Sequence, residues 1–481
     1  MEVVINLEPI LRFLSLPLDQ LLQRLFWLFG WIPIALTFLW GSAQVWLKYR
    51  RSLWGARQKY VFLAIDIPKG NQQTPKAVEN MFAYLAGAHG TFNLHEKWWL
   101  GELQLSFSFE IVSIEGYTQF LVRTFEKYRD VLESAIYSQY PDAEITEVND
   151  YTVGTPDKFP DDEYDLWGGE FIQTKPFVYP VKTYKDFEDA TSSPDTQYKD
   201  SMAALMDLCA SMKKGEQFWY QIIVIPTGFD WVKEAEKEIN RIVGIENKTS
   251  TNIITRLVDG LLDFLSRWDK LFVIGSDEKK EEKEDTFRMM NLNPIQKKQV
   301  EEIEEKTGKL GYEIKIRVAY LAKKEVINKP KAGSGIVGFM KQFTFTHLNS
   351  FKPDIGDKGT ITKVNYPIFA ERRLTKKKNK VIRTFKDRDD TAGRTPMILN
   401  TEEIASLWHF PVETVVKGPL LQKTPAKKVE PPSSLPISNK RPLGSDLSFF
   451  SDEIVGSDSG NKQTDAQPAV KNVPPSNLPF V

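Results

Sequence analysis

The sequence has a single cysteine in 481 residues, Cys209, and only four histidines. One thiol builds neither an internal disulfide framework nor a cysteine-rich zinc site, which suits a reducing compartment. The histidines, at positions 89, 95, 347 and 409, form no H-E-x-x-H pair. Net charge is missing too: 64 acidic residues against 63 basic leave −1. The chain as a whole is therefore neither a polycation for nucleic acid nor an acidic solvating protein, and only local clusters can speak. A phosphate loop of the form G-x-x-x-x-G-K-[ST] is absent, the nearest stretch being "GSDSGNKQT" (Gly456 to Thr464), where Asn461 parts Gly460 from Lys462. There is no G-x-S-x-G elbow, and Cys209 lies within the helical pattern of "ALMDLCASM", as a core residue does. No catalytic residue, cofactor site or metal site is expected.

What the sequence does have begins with an uncharged run, "LFWLFGWIPIALTFLWGSAQVW", from Leu25 to Trp46. About 20 apolar residues suffice to cross a bilayer as a helix, so 25–46 is read as a transmembrane helix. Residues 47–59 form a basic juxtamembrane linker with Lys48, Arg50, Arg51, Arg57 and Lys59, against Arg12 and Arg24 on the other side. That bias places the C-terminal side in the cytoplasm, as a single-pass protein of the inner membrane. Residues 1–24 carry leucines near helical period, which marks a segment able to lie along the membrane surface.

Beyond the anchor, strands and amphipathic helices alternate. From Tyr60 to Asp150 the order is βαββαβ, with strands at "YVFLAIDIP", "LQLSFSFEIVSI", "TQFLVRTF" and "AEITEVND". This is the order of a ferredoxin-like unit, with its helices on one face of an antiparallel sheet. Residues 151–215 read as a connecting segment, whose acidic cluster Asp161, Asp162, Glu163 and Asp165 lacks EF-hand spacing and so reads as a solvated loop. A second αβ unit spans 216–425, with a buried strand "EQFWYQIIVIP" and a long strand "GYEIKIRVAYLA". Within it, 246–292 is an insertion made of an amphipathic helix, Asn252 to Ile274, and the charge run "SDEKKEEKEDTF". The tail, 426–481, has the proline, serine and charge content of disorder. The fold class expected is α+β: an N-terminal transmembrane helix, two ferredoxin-like units with the second interrupted, and a disordered tail.

Three stretches are candidate sites. "GSGIVG" (Gly333 to Gly338) fits G-x-G-x-x-G, but "KKEVINKPKA" separates it from its strand, so a glycine turn leading into a helix is expected. The basic cluster Arg372, Arg373, Lys376, Lys377, Lys378, Lys380 and Arg383, with Lys386 and Arg388 following, is read as a hairpin with its tip at "KKKNK". Such a cluster meets phosphates of DNA or anionic lipid without reading sequence, or else is a solvated arm facing partner carboxylates. "TEEIASLWHFP" (Thr401 to Pro411) is a short helix capped by Asn400 or Thr401, which offers Trp408, His409 and Phe410 for partner or interdomain docking.

"FLVRTF", "SQYPDAEI", "VYPVKTYKDFED", "GEQFWYQIIVIP" with "DWVKEAEKEI", and "ILNTEEIASLWHFP" followed by "KVEPPSSLP" occur in this order between Tyr60 and Pro436. Together they resemble the membrane-anchored, non-motor N-terminal region of bacterial conjugative-transfer and type IV secretion ATPases of the FtsK/HerA class. In those ATPases a short helix and proline-rich linker lead into a P-loop domain, whereas here they lead into a polar tail. The resemblance implies a non-catalytic scaffold or docking subunit whose partners are a separate P-loop ATPase, membrane lipid and DNA, and it leaves room for a homo-oligomer. A general membrane scaffold unrelated to transfer and a membrane-bound enzyme using the Asp161 to Asp165 carboxylates are the rival expectations.

Overall fold

The computed structural model describes residues 17, 20, 23–24, 26–27, 30–68, 71, 73–187, 200–244, 292–356 and 358–412. The expected insertion at 246–292 except its last residue, its helix from Asn252 to Ile274, the tail at 426–481 and nearly all of 1–24 lie outside these residues. Helix α1, Trp31–Gly55, joins the apolar run to the basic stretch after Trp46 in one element. No helix among the described residues is long and apolar enough to cross a membrane. The expected span of 25–46 begins in residues only partly described.

The chain then forms an α+β fold on one antiparallel sheet of nine strands. Strand β1 (Tyr60–Asp66) leads to α2 (Pro75–Leu85), whose Pro75 occupies the first helical turn, where its missing N–H would have had no partner anyway. β2 (Phe107–Ile114) and β3 (Tyr117–Phe125) form a hairpin through Glu115 and Gly116, both with positive φ, the turn whose twist suits paired strands. Helix α3 (Arg129–Tyr137) and β4 (Glu144–Glu147) complete this half. Its strands lie in the order β4-β1-β3-β2.

The second half contains β5 (Tyr164–Gln173), α4 (Ala203–Ala210), β6 (Glu216–Pro226), α5 (Val232–Val243), α6 (Pro294–Thr307), β7 (Gly311–Lys323), α7 (Lys329–Lys341) and β8 (Phe351–Pro353). Its strands run β6-β7-β5-β8, the same fourth-first-third-second order read from the other edge. β2 pairs with β6 from Phe107↔Val224 to Ile114↔Gln217, which makes the two halves one continuous sheet. Helix α8 (Ala370–Asp387), β9 (Met397–Asn400) and α9 (Thr401–Leu407) close the fold, with β9 paired to the start of β7.

Successive residues of a strand face opposite ways, so the sheet has two distinct faces. On the first, Leu63, Phe109, Val122, Tyr220, Ile316 and their neighbours pack under α2, α3, α4, α7 and α9. On the second, Leu121, Leu166, Trp219 and Leu321 pack under Val381, Ile382 and Phe385 of α8.

Three expectations are corrected. The connecting segment 151–215 contains β5, an inner strand paired to β7 and β8. The two glycines of "YDLWGGEFIQ" break the apolar alternation that marks a strand. "GSGIVG" is no turn but the middle of α7, where Gly335 lets that helix approach α4 so closely that an added Cβ would lie 2.7 Å from the Leu208 side chain. The basic hairpin is the helix α8. Lysine and arginine are good helix formers, and Val381, Ile382 and Phe385 supply a one-sided apolar contact that a hairpin tip lacks.

Candidate functional site

The second face carries a line of charge at its centre. Glu110 of β2 lies opposite Gln221 of β6, Gln221 opposite Arg317 of β7, and Arg317 opposite Glu170 of β5. All four are buried. A buried charge is tolerated only when paired and hydrogen-bonded, and Glu110, Arg317 and Glu170 each are. Glu110 accepts from Ser108 at 2.6 Å, Tyr151 at 2.7 Å, Gln221 at 3.0 Å, and from Arg388 Nε and Nη2 at 3.0 and 3.2 Å. Arg317 donates to Glu170 at 3.0 Å and to the carbonyls of Thr384 and Ala392, both at 3.0 Å. Glu170 also accepts from the Arg394 amide at 2.7 Å, and Arg394 forks onto Asp354 at 2.8 and 2.9 Å.

Arg388 is the keystone of this line. It sits at the C-cap of α8 with φ of 52°, and its guanidinium lies over the rings of Phe62 and Tyr151 at 4.5 and 5.4 Å. Burial penalises the charged guanidinium, but the Glu110 carboxylate and the hydrogen bonds to Glu110 and Asp150 outweigh this and raise its pKa. Burial likewise pushes Asp150 up, yet its hydrogen bonds from Arg388 win and hold it below the usual carboxylate range. Burial lowers the pKa of Lys315, which donates to the Ala392 carbonyl beside the line. The carboxylates of the line are engaged by donors of the same chain, so the chemistry of the line is that of a staple between sheet and helix.

Above it, α8 presents its basic residues. Arg372, Arg373, Lys376, Lys380 and Arg383 are exposed. Positions 372, 376, 380 and 383 recur at three to four residues and so share one side of the helix, a stripe about 17 Å long. Lys377 and Lys378 point elsewhere. Lys377 donates to the carbonyls of Gly356, Ile361 and Lys363 at 2.6, 3.3 and 2.9 Å, and Lys378 pairs with Asp165. Asp165, expected in a solvated acidic loop, is half-buried in β5 between Lys378 and Lys329, the latter 2.7 Å away. Asp161 caps the entry to β5, accepting from the amides of Glu163 and Tyr164. A cavity of about 50 Å³ opens between α8 and the 358–360 turn, lined by Glu170, Arg317, Lys358, Lys377 and Lys380.

Trp408, His409 and Phe410 lie in the core of the first face, without surface to offer an external partner. Trp408 meets the rings of Phe109, Phe120 and Phe410 at 4.9, 5.7 and 5.0 Å. Both ring nitrogens of His409 face acceptors, the Ala405 carbonyl at 2.7 Å and Asp200 at 2.9 Å. Burial raises Asp200, but the His409 hydrogen bond holds it below its ordinary value. Glu403, in the reciprocal cap with Asn400, also binds buried Lys306 at 2.9 Å. Burial depresses the pKa of Lys306 against the attraction of Glu403. Cys209 is buried as well, its thiol pushed up to about 12 by burial, which makes it a core residue rather than a nucleophile.

Sequence reasoning missed Glu110, Glu170 and Arg317, and took Arg388 only as the end of the basic cluster. The signal was there for three of them: a charge at an alternate position inside a strand, as in "FSFEIVSI" and "IKIRVAYLA". Among the described residues no group of histidine, cysteine or carboxylate side chains is placed to hold a metal ion.

The fold and the stapled sheet define an α+β protein built on one antiparallel sheet with a helical layer on one face and a single long helix on the other. Residues 65–419 match a domain of unknown function, DUF8128, and the chain belongs to that family. No curated protein matches it.

Proposed function

We propose that this chain is a non-catalytic scaffold, anchored at the inner membrane through α1, that docks a separate P-loop ATPase of conjugative DNA transfer or type IV secretion. Its two halves are, in this reading, ferredoxin-like units joined edge to edge, as their shared strand order supports. The observation that carries the proposal is the seating of α9. The short helix that leads to the motor in the FtsK/HerA-class ATPases is here tied into the core by Lys306, Asp200 and the Trp408 cluster. Whatever follows Val412 therefore leaves from a fixed point, which is what a docking platform requires. The basic stripe of α8 supports a second contact, to DNA, through phosphates.

Affinity purification of the full chain from detergent-solubilised membranes of its native host tests the partner. Recovery of a P-loop ATPase supports docking, and its consistent absence favours a scaffold unrelated to transfer. For the stripe, the full chain with Arg372, Lys376, Lys380 and Arg383 changed to Glu is compared with the unaltered chain on DNA across a salt series. Weaker retention with a shallower salt slope is expected, and an unchanged slope removes DNA from the reading.

A further inference from the structure

We propose that the turn from Leu94 to Leu100 and the outer side of α1 form one lipid-facing surface, seated in the headgroup layer of a bilayer that contains anionic lipid. The inference rests on the membrane part of the reading above and is independent of the ATPase partner.

The turn is built to sit on α1. Asn93 and Glu96 exchange hydrogen bonds at 2.8 and 2.9 Å, each side chain accepting from the other's amide, and Gln104 pins the base by bonding the Gly90 amide and the Ala88 carbonyl at 2.7 and 3.1 Å. Trp46 of α1 donates its indole N–H to the Trp98 carbonyl at 3.0 Å, and Arg50 donates to the Trp99 carbonyl. The rings of Trp46 and Trp99 meet edge to face at 5.6 Å. Gly101 ends the turn with φ of 77°, against the helix backbone: a Cβ there would lie 2.4 Å from the Arg50 carbonyl carbon. Only glycine permits both that conformation and that approach.

So held, the turn exposes its apolar groups instead of burying them. Leu94 is 76% exposed and Trp99 57%, with Trp98 and Leu100 also exposed. The turn meets α1 at Trp46 and Arg50, and earlier in the same helix Trp40 is 69% and Val45 70% exposed. The contact falls where the helix changes character. Before Trp46 the described part of α1 is uncharged, and after it Lys48, Arg51, Arg57 and Lys59 are exposed with no acidic residue among 47–59. The turn carries Lys97 beside Glu96, whose carboxylate accepts from the Asn93 amide, and Glu126 lies beside Lys59 at 3.8 Å, so the cationic excess comes from α1 and residues 47–59. Indole rings at the boundary, leucines beside them and a basic collar behind are the chemistry that suits the interface of an anionic bilayer. The surface gives the chain a second attachment beside α1, which fixes how the sheet stands relative to the lipid.

Cys209 is buried, so a cysteine introduced at the surface can be labelled alone. The full chain carrying Leu94→Cys, Phe38→Cys or Val153→Cys is labelled with an environment-sensitive NBD dye and reconstituted into phosphatidylcholine–phosphatidylglycerol vesicles. Phe38 reports on α1, and Val153, exposed elsewhere in the fold, is the aqueous control. The expected result is that the label at 94 behaves as that at 38, quenched by spin-labelled lipid and shielded from iodide, while the label at 153 does the opposite. Iodide quenching at 94 with lipid quenching at 38 overturns the inference and leaves α1 in the membrane. Iodide quenching at both overturns the inference and the membrane anchor together. Should Leu94→Cys fail to fold, Lys97→Cys reads the same turn.

Discussion

The two faces of the sheet are closed by different physics. The first is closed by apolar side chains under five helices, and its buried charges lie at the margins of that layer: Lys306 with Glu403 and Asp200 with His409 at α9, and Glu216 with Lys331 at the start of β6. The second is closed by one helix, with a charged line through its middle where an apolar core would ordinarily be. Burial of apolar surface is tolerant of exchange, because most hydrophobic groups of the right size fit. A hydrogen-bonded charge line is not, because each member left alone is a charge without a partner. The second face thus fixes where α8 lies with a specificity that three apolar contacts alone would not give.

The largest test is to remove one member of the line. Arg388→Ala leaves the buried Glu110 and the half-buried Asp150 without their cation and is expected to cost about 3–5 kcal/mol in urea denaturation. Adding Glu110→Gln to Arg388→Ala should recover part of that loss, because the neutral amide oxygen needs no cation and still accepts from its other donors. If the double variant is as unstable as the single one, the line is not an ion-pair staple and the contrast between the faces fails.

Acid probes both faces at once. Asp150 and Asp354 on the second and Asp200 and Glu216 on the first have folded pKa values below their ordinary 3.8 and 4.5. Such groups contribute stability that is present above the unfolded value and lost as pH falls through the folded one, so stability should drop steeply below about pH 4. Asp390 and Glu313 have the opposite sign. Burial, with neighbouring carboxylates, raises their folded values, so their contribution is present in acid and lost as pH rises through the folded pKa. Denaturation at stepped pH should therefore show a steep acid limb with a shallower opposing slope just above it. Asp390→Asn should flatten the opposing slope and leave the acid limb in place.

A smaller effect belongs to the first face. Asn400 caps α9 by accepting from the Glu403 amide at 2.8 Å, and Asn400→Ala should cost about 1 kcal/mol in the same assay. Smallest of all is the exposed side of α8. Changing Arg372, Lys376, Lys380 and Arg383 to Ala should move stability by no more than about 0.5 kcal/mol per site, because all four are exposed. A larger loss would mean that the stripe holds the helix, contrary to its reading as a contact surface.

How much of this could be read in the sequence follows from the same contrast. The strands of the first half, β6 and β7 were legible because their apolar runs are long and closed by turn residues. Helix α9 was legible from its cap, Asn400 forming the reciprocal bond with Glu403. β5 was hidden by its paired glycines and acidic start, and α8 by its lysines, since only Val381, Ile382 and Phe385 declare its buried side. The charge line was not legible as a line, because its members are dispersed from residue 110 to 388 and only strand register brings them together. Trp408, His409 and Phe410 were singled out for docking, and α9 instead turns all three into the core.

The seating of α9 has a mechanical consequence. Tension applied to the chain beyond Val412 would first load the Val412 amide on Asp200 and the ring cluster of Trp408. From there it would pass to β2 and β3 in the interior of the sheet and to Lys306 across the fold, where many bonds must yield in parallel. A strand at the rim would unzip one bond at a time, whereas this attachment resists as a rivet does.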